Sequence, residues 1–342
     1  MKKSIIFLAC IVLACPSLFA QKDYQITLFP WASLNYNPGA AGEQNNTLCF
    51  TAFFRQQYLG IKEPAQSDES VTTENYNDIS SRNMAFNVEF YSRKIRGAFA
   101  LSIDNDKAAY YNNINLKLGY AFKLNLGPGK LGIGAQVVMI NQSLDVSKLH
   151  ATVQDDPLLK EYNESEMNMD FNFGLYYKAE RWFAGVSILR MLDNSAFVLS
   201  GQGFQRPPRT LYATGGYIWT LPWNPSWNIE PSAIIRTDLA MMNFDLMAIA
   251  RYNSVVWGGL SYRLDDAVSI LMGARPFHNS SNNFLKGLEA GLAYSITTTK
   301  IGYRPKGSFG DIEILIRYCF DLYKQEVFSG YGSSRSIYKN QY

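Results

Sequence analysis

The chain has only two histidines in 342 residues. That leaves little room for a histidine-based metal site or for acid–base chemistry near neutral pH, where histidine is the side chain that titrates. Cysteine is also scarce. Of the four, Cys10 and Cys15 lie in the first twenty residues, which leaves Cys49 and Cys319. Two cysteines make no disulfide framework, and their spacing is not a zinc pattern. The charged fraction is 18%, below the roughly 25% of an average soluble domain. Its signs nearly cancel, 32 Lys and Arg against 29 Asp and Glu, so nothing drives the chain toward nucleic acid. After residue 20 no apolar run is long enough for a membrane helix. Gly-x-Ser-x-Gly, His-Glu-x-x-His and P-loop patterns are all missing. Aromatics, by contrast, are abundant at 14%, mostly the 22 Tyr and 21 Phe. The hydrophobic fraction of 47% is ordinary and rules out a disordered chain.

Residues 1–20 read as a signal peptide. Lys2 and Lys3 are basic, Ile5 to Leu13 are apolar, Pro16 breaks the run, and a cut falls between Ala20 and Gln21. Leu18 is larger than such a site prefers. The apolar run is too short to span a membrane. A second processing reading puts a lipid on Cys15, within Val12-Leu13-Ala14-Cys15, although Leu13 is bulky for that and Pro16 would follow the cut. A buried N-terminal helix is the third reading. Either processing route takes the chain out of the cytoplasm.

The strongest signal beyond the leader is a period of two. Ile114, Leu116, Leu118, Tyr120, Phe122 and Leu124 alternate with Asn115, Lys117, Gly119, Ala121 and Lys123. Met84 to Phe90, Ile95 to Ile103, Met169 to Tyr177, Leu288 to Ile296 and Ile312 to Phe320 alternate in the same way. A helix needs a spacing near 3.6. These segments have the length of tilted strands crossing a bilayer. A soluble sandwich also alternates, but the aromatic weighting and the leader favour an all-β transmembrane antiparallel barrel.

Counting gives about fourteen strands: 47–58, 82–92, 95–104, 110–124, 130–140, 168–178, 181–191, 209–220, 227–236, 244–252, 254–264, 267–276, 284–296 and 311–322. The barrel thus occupies 47–322, after an N-terminal periplasmic or plug segment at 21–46 and before a polar tail at 323–342. An even count puts both barrel ends in the periplasm, with long outer loops at 59–81, 141–167, 192–208 and 297–310. Tyr58, Tyr91, Tyr110, Tyr111, Trp182, Trp219, Trp223, Trp227 and Tyr318 are candidates for the aromatic girdles. Inward parity falls on Arg55, Glu89, Arg96, Lys117, Arg236, Asp245, Glu289, Glu313 and others of both signs, the pattern of a filled or polar lumen.

Several short motifs are familiar. Asn35-Tyr36-Asn37-Pro38-Gly39-Ala40-Ala41-Gly42 resembles the opening motif of the PorP/SprF family of outer-membrane proteins, which serve type IX secretion and gliding in Bacteroidetes. Arg55, Gln57, Tyr58 and Gly60 resemble that family's first-strand pattern, Tyr58 standing where Trp is usual. Tyr262-Arg263 with Asp265-Asp266 resembles a late hairpin of the family. Gly307-Ser308 and Glu313-Ile314 are similar to its closing signature, without the histidine. The resemblance implies a barrel that docks, helps export or anchors a large adhesin-like surface protein through that protein's C-terminal export domain. It also implies partners in the periplasm, peptidoglycan-associated and secretion-machine proteins, and lipid of the outer membrane, with no nucleic acid. Two alternatives stay open: a diffusion or fatty-acid-type channel, and, less favoured, a barrel enzyme.

No catalytic residue, cofactor or metal ligand is expected. His150 and His278 fall at opposite ends of the predicted barrel. The carboxylates Asp155, Asp156, Glu161, Glu164 and Glu166 read as a solvated acidic loop, with Ca²⁺ as the lesser reading. The docking or plug candidates are Trp31, Asn35, Tyr36, Asn37, Pro38, Gly39 and Gly42. This apolar segment is expected in the periplasmic mouth, in the lumen or against a partner, with Pro38 setting φ and Gly39 allowing positive φ in a turn. Cys49 and Cys319 share inward parity on strands that become neighbours on closure, so a seam disulfide is the low-weight expectation for them.

Overall fold

The computed structural model describes residues 25–43, 47–64, 76–78, 80–144, 164–192, 198–200, 208–264, 266–278, 285–298 and 308–321. The signal peptide with Cys15, the acidic residues 155–161, His150 and the tail after 321 lie outside the described residues.

Fourteen strands build the wall. They are β1 (Thr47–Gln57), β2 (Ser81–Ser92), β3 (Gly97–Ala108), β4 (Tyr111–Leu126), β5 (Gly129–Leu144), β6 (Glu164–Lys178) and β7 (Trp182–Leu189). There follow β8 (Thr210–Tyr217), β9 (Trp227–Thr237), β10 (Met242–Tyr252), β11 (Val256–Arg263), β12 (Ala267–Ala274), β13 (Leu288–Thr297) and β14 (Asp311–Asp321). Each pairs antiparallel with its neighbours in sequence, and β14 pairs with β1, so the sheet closes without an edge. Closure gives each strand a partner on both sides, as a lipid environment requires.

The alternation sorts side chains onto two faces. Met84, Phe99, Leu118, Val186, Ile270, Met272 and Ile316 point outward and stay exposed, an arrangement that is unfavourable in water and matches a lipid belt. Asn87, Ser102, Gln136, Asn172 and Glu313 point inward and are buried. Trp182, Trp219, Trp223 and Trp227 lie on one arc, β7 to β9, of the end that carries the short turns, which is the periplasmic end of outer-membrane barrels. Tyr177 stacks on Trp182 there, and Trp227 lies against Tyr252. Tyr91 is not part of a girdle. It shares the parity of Asn87 and Glu89 and is buried inside.

The differences from the sequence reading fall at strand ends. Residues 93–96 form a turn closed by Arg96 N–H on the Arg93 carbonyl, so β3 starts at Gly97 and Arg96 lies outside the lumen. Strands β4 to β6 run longer than their apolar cores, because the polar residues Asn141 to Leu144 and Glu164 to Asn168 continue the ladder above the lipid belt. Asn253 and Ser254, both at positive φ, make the tight hairpin between β10 and β11. At the seam Cys49 and Cys319 are register partners and are joined by a disulfide.

Candidate functional site

The interior is occupied by the chain's own N-terminal segment. Residues 25–42 are almost wholly buried inside the barrel, and Leu28, Phe29, Ala32 and Leu34 are at most 2% exposed. The apolar side chains of this aperiodic stretch meet Phe53, Ile234, Ile249, Leu271 and Leu315 on the inner face of the wall. Its regular structure is a single helical turn, Ser33–Tyr36, and a 3₁₀ turn, Pro38–Ala40. Asn37 caps the second by accepting the Gly39 N–H at 2.9 Å, with Pro38 at the first helical position, where a missing N–H costs nothing.

Glu313 sits two residues into β14 and accepts the main-chain N–H of Thr27 at 2.7 Å and of Leu28 at 2.8 Å. Arg55, near the far end of β1, donates to the Gln25 carbonyl and pairs with Asp311 at 2.6 Å. Arg263 reaches Thr27 Oγ1 at 3.5 Å while bound to Asp245 and Asp266. These contacts lie at the long-loop end of the strands. The segment therefore does not stop at the periplasmic mouth, but runs the lumen from near the outer end.

Close to the hairpin that joins β10 and β11, Trp31 stacks on Trp257 with centroids 4.6 Å apart, and Arg251 lies over the Trp31 ring. Glu289 holds both Trp257 Nε1 at 3.1 Å and Arg275 at 2.8 Å. Tyr36 stacks on Tyr212 and donates to the Phe29 carbonyl. Burial raises the Tyr36 hydroxyl pKa well above the tyrosine range, so it stays protonated and a donor. Asn35 accepts from Asn87, which accepts from Ser102.

Near the short-turn end, Asn37-Pro38-Gly39 rests on a floor of glycines. A Cβ on Gly134 would stand 2.3 Å from the Pro38 carbonyl carbon, and one on Gly174 would stand 2.2 Å from Asn37 Oδ1. Gly132 and Gly185 are similarly close to Gly39 and Asn37. Asn37 Nδ2 donates to the carbonyls of Leu175 and Val186, and Lys123 Nζ to that of Gly39. Gly39 does not use positive φ as expected. It is in the 3₁₀ turn, and it is glycine because a Cβ would meet Gly132 O, Gly174 O and Tyr176 N within 2.9 Å. The positive φ belongs to Gly42, at 66°, whose N–H is held by Glu89. Glu43 then pairs with Lys178.

Trp31, Asn35, Tyr36, Asn37, Pro38, Gly39 and Gly42 thus form one continuous plug. Among the first-strand residues, Arg55 faces the plug, whereas Gln57 ends the strand. Tyr58 turns at φ 57° with its N–H on Asp311, and Gly60 at φ 83° lies under the Phe309 ring. The glycine floor and the role of Trp257 escaped the sequence reading. Four inward-parity glycines on adjacent strands were the available signal. His278 lies in a turn at the short-turn end, its pKa lowered by burial and by Arg275 and Lys286. Among the described residues no cluster of three His, Cys, Asp or Glu could hold a metal.

Closed strands, an apolar outer belt and a lumen filled by an N-terminal plug define a plugged outer-membrane β-barrel. The chain belongs to the family described as type IX secretion system membrane protein PorP/SprF, whose family model matches residues 18–318. No protein of curated function matches its sequence. Among solved structures, a deletion mutant of the monoaromatic hydrocarbon channel TodX is similar at a TM-score of 0.50 and 10% identity, covering 85% of this chain and 94% of that one. The P. putida toluene transporter TodX follows at 0.47 and 9%, covering 84% and 93%. Omp33 of Acinetobacter baumannii aligns at 0.39 and 8%, covering 81% and 100%. The first of these likenesses supports the outer-membrane barrel fold alone.

Proposed function

We propose that this barrel is a docking component of the type IX secretion system. It receives or anchors a large, adhesin-like surface protein by that protein's C-terminal export domain, and contacts peptidoglycan-associated and secretion-machine proteins at its periplasmic end. It acts by binding and not by catalysis. The observation that carries this reading is the plug, which is buried along its length and pinned by Arg55, Glu313 and the glycine floor. A lumen filled in this way suits a platform for other proteins better than an open diffusion path, the rival reading. The test is affinity purification of the tagged protein from its native outer membrane after mild cross-linking. A secreted protein with a C-terminal export domain should co-elute with periplasmic secretion components. A barrel that purifies alone and conducts small solutes freely in liposomes would overturn the reading in favour of a channel.

A further inference from the structure

We propose that the outer half of the lumen, above the plug, is a second polypeptide site that takes an extended, uncharged segment by its main chain. The inference rests on the docking reading and gives docking a place.

A cleft that opens to solvent lies between the plug and the wall. Ile26, Phe29 and Tyr36 of the plug supply an apolar floor, while Asn113, Asn115, Gln142 and Asn172 line one side with amides. The cations at this cavity are already engaged. Lys117 pairs with Asp104 at 2.5 Å, Arg236 with Asp245, and Arg190 donates to Thr210 and the Pro208 carbonyl. Lys117 and Arg236 thus have carboxylate partners within the wall, and a charged ligand would have to compete with those pairs.

What the wall offers is amide chemistry. Gln142 is 6% exposed and lines the cavity, yet its Oε1 has no hydrogen-bond partner. On the same wall Gln136 Nε2 and Asn168 Oδ1 are buried and unpartnered as well. Buried polar atoms are normally paired, so Gln142 Oε1, the one of the three that lines the cavity, points to a missing donor. A peptide N–H is such a donor. The lumen already reads main chain in this way: Glu313 takes two N–H groups of the plug, and Arg55 and Lys123 each hold a carbonyl. An extended segment would set alternate side chains on the apolar floor and its peptide groups against the amides. A sugar would favour a flat, free aromatic face, whereas Tyr36 and Tyr212 here stack on each other.

The test uses the full-length barrel in detergent, immobilised and exposed to a pool of capped, uncharged ten-residue peptides, with retained peptides identified by mass spectrometry. A subset should be retained. N-methylation of their amides should lower retention about tenfold, and Gln142→Leu should do the same. Trp223→Leu, at the opposite end, should leave retention unchanged. If Gln142→Leu fails to fold, Asn113→Leu at the same wall is read instead. Retention of no peptide, or retention indifferent to N-methylation or to the wall variants, overturns the proposal. So does binding of maltohexaose in place of peptides. Co-purification of the partner is followed in parallel. A partner still held by Gln142→Leu after peptide binding is lost leaves docking standing and overturns this cavity as its seat. Peptide binding by a wild-type barrel that captures no partner overturns docking and leaves the cavity standing.

Discussion

Arg55 of the first strand and Asp311 of the last form a buried ion pair at 2.6 Å, and the same guanidinium holds the carbonyl of Gln25. One side chain thus ties the barrel seam to the plug near the outer end. At the opposite end of the same strand pair, the seam is closed by Cys49 and Cys319. The plug is fastened to the place where the barrel closes, and this links its seating to complete closure.

Arg55→Leu should be strongly destabilising. It leaves the Asp311 carboxylate buried without its cation and strips the Gln25 carbonyl of its donor. Breaking one side of a buried pair costs about 3–5 kcal/mol, whereas replacing both partners by apolar groups is often close to neutral. The double variant Arg55→Leu with Asp311→Leu should therefore recover much of the loss. Denaturant unfolding followed by the shift between folded and unfolded bands on gels measures both.

The seam disulfide predicts that intact mass of the non-reduced, alkylated protein shows neither Cys49 nor Cys319 labelled. Replacing both by serine should lower stability by about 2–5 kcal/mol, since the bridge closes a loop of 270 residues in the unfolded chain. The ten register pairs between β1 and β14 should still form, so the variant should remain a barrel by circular dichroism.

The glycine floor is tested by Gly174→Ala. The new methyl would stand 2.2 Å from Asn37 Oδ1, so the plug must shift or the strand must give. Overpacking of this kind costs about 1–3 kcal/mol. Proteolysis should then cut within residues 25–43 faster than in the wild type. Gly215→Ala is the control, because its Cβ would meet only Phe183 O at an ordinary 3.5 Å.

Fourteen strands and their inward and outward faces were legible because alternation is a local property, written within each segment. Residues that end strands were less legible. Arg96 keeps the parity of the lumen but belongs to a turn, and Asn141 to Ser143 are too polar to look like strand, although they pair with Ser165 to Met167 through the ladder. The plug's apolar character announced burial, yet its path did not appear in the sequence. Thr27 meets Glu313 across 286 positions, and no periodic pattern reports such a contact. Gly39 shows a different limit. Asn-Pro-Gly reads as a turn that needs positive φ, while the actual requirement is the missing Cβ against Gly132 and Gly174.

Deleting residues 25–42 should separate the roles of wall and plug. The strands hold one another by their own ladders, and the seam keeps Arg55 with Asp311 and Cys49 with Cys319, so the wall should persist. Glu313 and Glu89 would lose plug N–H donors, but in an emptied lumen water replaces them. Apolar residues such as Ile249 and Leu271 would lose the plug that covers them, at about 25 cal/mol for each Å² exposed, so the shell should be less stable than the plugged protein. Planar-bilayer recording should find the wild type closed and the deletion conducting. If the deletion stays closed and equally stable, the segment is not the plug that fills the lumen. If it conducts and folds but surface display of the exported partner is lost, the plug is part of the docking apparatus and not merely a stopper.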